Sequence, residues 1–254
     1  MHPSGRPLVI SHRTNEGDSP ENTLLGIERA VADGCHAVEV DVRATRDGVL
    51  VLMHDATLAR TTGDPRAVAD VTAAELQALR CGVPQGYEPQ PIPTLDEALA
   101  CLGGRAAIVL DLPAPSDAVE AAVEAAVRRA GAEGWAWFTP TFDDEVERTL
   151  RRFAGFPIYF DLTHEPLPWP AMEERIRLAA HFGVTGINPI HTSLSPEAVA
   201  LAHDLGLQVA CWTVDGPGDI ARVVGLGVDA VTTNFPRRVF EAAREAGRGP
   251  ADGR

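Results

Sequence analysis

The chain has 254 residues, 45% hydrophobic and 23% charged, with a mean hydropathy close to zero, the composition of an ordinary globular protein long enough for one α/β barrel. Thirty-six acids against 22 bases give a net charge of −14 with neutral histidines, which argues against the basic surface that a nucleic-acid partner requires. All 22 basic residues are arginine, so Schiff-base chemistry, a lysine general base and a P-loop lysine are excluded.

The first apolar stretch, Leu8–Ile10, is far shorter than the core of a secretory signal. No uncharged apolar run approaches the roughly 18 residues of a membrane span, and cytoplasm is the expected location. Cysteines 35, 81, 101 and 211 form no C-x-x-C pair and are expected to be reduced and structural. β-rich runs fall at Leu8–His12, Ala37–Thr45, Val49–His54, Ala106–Asp111, Trp135–Thr139, Pro157–Leu162, Gly186–Ile190, Gln208–Thr213 and Ala230–Thr233. Helical patterns lie between them, at Thr23–Asp33, Asp117–Ala130, Asp143–Phe153, Ala171–Phe182, Pro196–Leu205 and Asp219–Leu226. Glycines 34, 131, 206 and 227 sit where helices hand over to strands and suit left-handed C-terminal caps.

Strand–helix alternation of this kind predicts a mainly parallel sheet with crossover helices. The runs Ala37–Thr45 and Val49–His54 are separated only by Arg46-Asp47-Gly48, too short for a crossover and typical of a hairpin. Counting the second run as a returning arm leaves eight βα units. The expected fold is therefore an α/β (β/α)₈ TIM barrel with a β-hairpin extension of its second strand. A two-residue turn centred on Asp47-Gly48 would pair Arg46 with Val49 and Asp41 with His54. Residues 56–93, with helices expected at Thr72–Leu79 and, just beyond, Leu95–Leu102, read as an elaborated loop over the site. Residues 1–246 are expected to form one domain and 247–254 a frayed tail.

Active sites of such barrels lie at the C-terminal strand ends. The first strand ends in Ser11-His12-Arg13, the second contains Glu39-Val40-Asp41, its arm ends in His54-Asp55, and the next ends in Asp111. Later strand ends offer Thr141, Asp161, Asn188, Trp212 and Asn234. Glu39 and Asp41, two residues apart on a strand, face the same way, while Val38, Val40 and Val42 face the other. Two inward carboxylates require protons, a counter-charge or a cation. With Asp111 as a third oxygen donor and no thiolate, Mg²⁺ or Ca²⁺ is favoured over zinc; the alternative is a salt-bridged pair with Arg43 or Arg13. His12 and His54 flank these carboxylates and could divide general acid and base work, with Arg13 holding a phosphate oxygen. Histidines 2, 36, 164, 181, 191 and 203 lack such company and read as structural or solvent-facing.

S-H-R-T-N-E-G at 11–17, P-E-N-T at 20–23 and the run E-V-D-V-R-A-T-R-D-G-V-L-V-L-M-H-D-A-T-L-A-R-T-T-G at 39–63 resemble the glycerophosphodiester phosphodiesterase family. So do I-P-T-L-D-E-A-L at 92–99, T-F-D at 141–143, W-T-V-D at 212–215 and G-V-D-A-V-T-T-N-F-P at 227–236. The resemblance implies a metal-dependent TIM-barrel hydrolase that cleaves deacylated phospholipid diesters to glycerol 3-phosphate and an alcohol. It implies His12 and His54 as catalytic, Arg13 as phosphate-binding, Glu39 and Asp41 as metal ligands and Trp212 as a pocket wall. A hydroxyl of the substrate's own glycerol is the implied attacking group, through a cyclic phosphate. Glu21 and Asn22 correspond to residues shaping the loop beside the site; capping of the helix near Thr23 is their alternative role. The family's third-strand glutamate-x-lysine is Asp111-Leu112-Pro113 here, and the glycine that usually follows His-Arg is Thr14. The alternatives to a glycerophosphodiesterase are a lysophospholipase D-like enzyme, which needs an apolar groove, and a catalytically impaired barrel that binds phosphodiesters. A small-molecule phosphodiester is the expected partner, and the sequence leaves the oligomeric state open.

Overall fold

The computed structural model describes residues 6–14 and 17–247. Its strands are β1 (Leu8–Ser11), β2 (Ala37–Ala44), β3 (Leu50–Leu52), β4 (Ala107–Asp111), β5 (Ala136–Phe138), β6 (Tyr159–Phe160), β7 (Gly186–Ile187), β8 (Gln208–Cys211) and β9 (Ala230–Thr233). The helices are α1 (Leu24–Ala32), α2 (Ala59–Thr62), α3 (Ala73–Leu76), α4 (Leu95–Leu102), α5 (Asp117–Arg129), α6 (Asp143–Arg152), α7 (Ala171–Phe182), α8 (Pro196–Asp204), α9 (Pro217–Leu226) and α10 (Pro236–Ala246). Eight strands run parallel in the order β5-β4-β2-β1-β9-β8-β7-β6, and a parallel bridge from Phe138 to Ile158 brings the two ends together. The result is the expected (β/α)₈ barrel, with α10 completing the eighth unit. Pro196, Pro217 and Pro236 open α8, α9 and α10 at positions where a missing N–H costs nothing. This places the start of α9 two residues before the expected Asp219.

Alternation along β2 separates two environments. Val38, Val40 and Val42 are buried outward against the helices, in a core that includes Ile27, Leu99 and Ile108. The opposite face carries Ala37, Glu39 and Asp41 into the barrel, where Ile10, Val109, Tyr159, Ala210 and Ala230 form a separate inner layer. With Ala37, three residues of this inner layer are alanines, which leaves room inside the barrel for a cavity.

The hairpin is present, but its register is one residue away from expectation. Ala44 pairs with Leu50, Arg43 with Val51 and Val42 with Leu52. The turn therefore has three residues, Arg46-Asp47-Gly48, closed by Thr45 N–H donating to Val49 O at 2.9 Å, with Gly48 left-handed at φ 80°. Asp47 Oδ1 accepts from Thr45 Oγ1 at 2.6 Å and from the Ala73 N–H at 3.0 Å, which stabilises the longer turn. Asp41 consequently faces Met53, whose N–H donates to Asp41 O at 2.9 Å, and not His54. A one-residue shift reverses the face of every side chain on the arm.

Residues 56–93 fold against the outer side of this hairpin, where Val51, Met53, Leu58, Val68, Val71 and Leu76 make a small core of their own. The expected helix Thr72–Leu79 shortens to α3, opened by a Thr72–Glu75 capping box. The cysteines form no disulfide, and Cys35, Cys81 and Cys211 are buried. No described helix is long and apolar enough to cross a membrane. His2 and the expected tail from 248 onward lie outside the described residues; Gly247 caps α10.

Candidate active site

Strand pairing brings the carboxylates together. Asp41 and Asp111 are direct partners in the β2–β4 register, and Glu39 lies two residues back on the same face. One oxygen from each of Glu39, Asp41 and Asp111 falls within 4.8 Å of the others. Burial, with the neighbouring Asp41 and Asp111 carboxylates, holds Glu39 well above the usual carboxyl range. Burial and Asp41 push Asp111 up to about 7. Such displacement marks negative charge that the protein leaves uncompensated, and three hard oxygen donors in that state fit a divalent cation. The salt-bridge alternative falls short on charge: Arg13 Nε lies 3.6 Å from Asp41 Oδ2, one guanidinium against three carboxylates. Arg43 turns away, its Nε and NH2 donating to His54 O at 2.9 and 2.7 Å.

The first loop is shaped around the same carboxylates. After β1 the chain turns sharply, with Arg13 at φ 44° and Thr14 at φ 60°. A β-branched residue in that region is strained, and Thr14 stands where the resembling family has glycine. Its side chain offsets the strain by accepting the Thr23 N–H at 3.2 Å, and its carbonyl accepts Ser19 Oγ at 3.0 Å. The turn points the Arg13 N–H at Glu39 Oε2, 2.8 Å away. The helix cap proves to be Thr23, which accepts from Gly26 N–H at 3.1 Å, and not Glu21 or Asn22. Asn22 instead grips Asp41 twice, donating from Nδ2 to Oδ2 at 2.7 Å and accepting the Asp41 N–H at 3.1 Å. Glu21, buried, lies 3.7 Å from Arg13 NH1 and forms a two-pronged pair with Arg60.

The two histidines have different supports. His12 Nδ1 meets Asn234 Oδ1 at 2.8 Å, while Asn234 Nδ2 donates to Asp215 Oδ2 at 2.8 Å. A carboxylate only accepts, so the amide must present its oxygen to His12, and Nδ1 must carry the hydrogen. Burial and the adjacent Arg13 charge lower the His12 pKa below its ordinary value, which favours a neutral ring with its lone pair on Nε2, 4.0 Å from Glu39 Oε2. His54 Nδ1 meets Asp55 Oδ1 at 2.7 Å. Asn234 appeared in the sequence only as a strand-end polar residue, and its contact across 222 positions was not legible there.

His12, Arg13, Glu39, Asp41, His54, Asp111 and Trp212 all line one cavity of about 750 Å³, counting the space at its open mouth. None of its lining residues comes from 56–93; that segment reaches the site through Arg60. The far wall is built by Trp212, whose Nε1 donates to Asp161 Oδ1 at 3.0 Å and to Asn188 O at 2.9 Å. His164 also lines it, exposed and edge-on to Trp212 with ring centroids 5.6 Å apart, so it faces solvent as expected but does so beside the cavity. Trp137 and Tyr159 form part of the lining, 5.6 Å apart. Thr141 lies in a separate, smaller cleft with Glu120 and Glu145. Arg13 is the one arginine among the lining residues, and no second arginine lines the cavity in place of the lysine absent at Pro113.

The profile of the glycerophosphoryl diester phosphodiesterase family matches residues 12–238. A glycerophosphodiester phosphodiesterase of Caldanaerobacter subterraneus is 28% identical over 249 residues, covering 95% of this chain and all of the relative. Among solved structures, one from Silicibacter pomeroyi, assigned to the glycerophosphoryl diester phosphodiesterases, superposes with a TM-score of 0.84 at 33% identity, covering 97% of this chain and 95% of the other. A phosphodiesterase of Oleispira antarctica, solved with the product sn-glycerol-3-phosphate, superposes with a TM-score of 0.80 at 25% identity, covering 95% and 98%. By fold, by motif and by extent of match, the chain belongs to the glycerophosphoryl diester phosphodiesterase family.

Proposed function

We propose that this enzyme hydrolyses a glycerophosphodiester to glycerol 3-phosphate and an alcohol, with His12 as base, His54 as acid and a divalent cation, Mg²⁺ or Ca²⁺, held by Glu39, Asp41 and Asp111. The observation that carries the reading is the convergence of two histidines, one arginine and three carboxylates on one cavity. The cation would supply Lewis-acid polarisation of the phosphoryl group. Arg13 holds a phosphate oxygen, positioned by its own N–H bond to Glu39. Neutral His12, with Nδ1–H fixed by Asn234, accepts at Nε2 the proton of the attacking hydroxyl as its oxygen bonds to phosphorus. His54, held through Nδ1 by Asp55, delivers a proton to the departing alcohol oxygen as that bond to phosphorus breaks. Where the attacking hydroxyl is the substrate's own, a water then opens the cyclic phosphate: His54 takes its proton as its oxygen bonds to phosphorus, and His12 returns a proton to the glycerol oxygen that leaves, giving glycerol 3-phosphate. Trp212 shapes the wall against which the organic part of the substrate packs.

Purified protein incubated with glycerophosphocholine, glycerophosphoethanolamine and a lysophospholipid, with Mg²⁺, Ca²⁺ or chelator, tests the reading. Release of alcohol and glycerol 3-phosphate from the first two, abolished by chelator, is the expected result. No turnover of any diester with either metal at high enzyme concentration refutes it; turnover of the lysophospholipid alone establishes the lysophospholipase D-like alternative. A binding protein that has lost catalysis would hold the diesters without turning them over.

A further inference from the structure

Arg60 belongs to the R-T-T-G end of the second long motif, lies outside the cavity lining and is about two-fifths exposed. Its guanidinium is nevertheless divided between two carboxylates. Nε and NH2 donate to Asp55 Oδ2 and Oδ1 at 2.7 and 3.0 Å, and NH2 donates to Glu21 Oε1 at 2.8 Å while NH1 donates to Glu21 Oε2. Each of those carboxylates holds one member of the proposed machinery: Asp55 meets His54 Nδ1, and Glu21 lies beside Arg13 NH1. The chain of contacts is His54–Asp55–Arg60–Glu21–Arg13, two fixed cations alternating with two carboxylates.

We infer that Arg60 is a positioning residue which sets the geometry of His54 and the availability of Arg13 together, by fixing the Asp55 carboxylate that orients His54 and by sharing the Glu21 carboxylate that competes for Arg13. Glu21 is buried, with Arg13 and Arg60 as cationic neighbours among the described residues. Without Arg60 its charge falls on Arg13 alone, and the Arg13 guanidinium is drawn from a phosphate oxygen toward Glu21. Asp55 without Arg60 loses the fork that holds its carboxylate plane, and His54 loses a fixed orientation. A fork is needed for this: five N–H donors in one plane can serve two carboxylates, whereas a lysine ammonium is a point charge. The low position of the Asp55 carboxyl, due first to its bonds with Arg60, agrees with this sharing. The inference rests on the proposed roles of His54 and Arg13.

The test is steady-state kinetics on Arg60→Met, Arg60→Lys and the double variant Arg60→Met/Glu21→Gln, with saturating divalent cation and the best diester substrate. Arg60→Met should lower kcat/KM at least about tenfold, in both kcat and KM, as loss of charge-assisted orientation does. Arg60→Lys should recover only part of the loss. Removing Glu21's charge in the double variant should restore KM toward wild type while kcat stays low, a rescue that a general loss of folding cannot produce. The inference is overturned if Arg60→Met keeps kcat/KM within about twofold of wild type, or if Glu21→Gln adds to the defect instead of relieving KM. If Arg60→Met does not fold, Arg60→Lys with wild-type kcat and KM overturns it equally. Wild-type protein inactive on every diester, or His54→Ala fully active, would instead refute the underlying reading of the site.

Discussion

Asp111→Asn tests the carboxylate cluster by a route independent of turnover. In the metal-free protein, burial and Asp41 raise the Asp111 carboxyl from 3.8 to about 7. A raised carboxyl stabilises the fold fully below its unfolded value near 4, and that contribution is lost as pH climbs through 7. At about 1.4 kcal/mol per tenfold change, the full loss is about 4 kcal/mol at pH 8, a ceiling that water entering the open cavity reduces. Asparagine is isosteric and carries no charge. In chelator, Asp111→Asn should therefore match wild type near pH 3.5 and exceed it at pH 8 by up to about 4 kcal/mol. Urea unfolding at both pH values, with and without excess Mg²⁺ or Ca²⁺, measures this. The cation should raise wild-type stability at pH 8 and affect the variant much less, because binding to the native state alone is what stabilises. A variant whose stability runs parallel to wild type across that range in chelator, or an equal cation response in both proteins, would refute the assignment of Asp111 to the cation site.

Further outcomes follow from the same geometry. His12→Ala and His54→Ala should each reduce kcat at least about a hundredfold, the usual cost of a lost general acid or base; wild-type rates in both would remove them from the mechanism. With saturating cation, the acid limb of kcat/KM should lie below pH 6.5, since the base must be neutral and burial with Arg13 lowers His12; a limb above pH 7 contradicts that role. Gly26→Ala should destabilise by about 1–3 kcal/mol or more and lower activity. A Cβ there would stand 2.0 Å from Thr14 O, forcing α1 away from the loop that carries His12 and Arg13. Thermal unfolding of that variant unchanged from wild type would show the loop to be more compliant than drawn.

How far the site was legible depended on the distance over which each contact acts. Glu39 and Asp41 could be assigned to one face from their spacing alone, because side-chain direction along a strand repeats every two residues. Helix limits were close wherever a local signal existed, as for α4 with Thr94 and Glu97, or α7 ending at Gly183. The hairpin register failed because turn length is decided by a competition among turn residues. Asp47 bonds both Thr45 and Ala73, and the second partner is 26 residues away. Asn22 read equally well as a cap or as part of the site, and only the meeting of its amide with Asp41 decides between them.

By itself, then, the order of residues determined the repeating strand–helix unit, the inward carboxylate pair and the strand ends at which His12, His54 and Asp111 emerge, all consequences of local periodicity. Tertiary structure alone decided that Asp41 and Asp111 are level, that Asn234 stands behind His12, that His164 and Trp212 share a wall, and that Arg60 links Asp55 to Glu21. Those contacts depend on how eight strands register as the barrel closes and on how the 56–93 segment packs on its hairpin. No local pattern encodes either, because both are settled by the burial of residues distant in the chain.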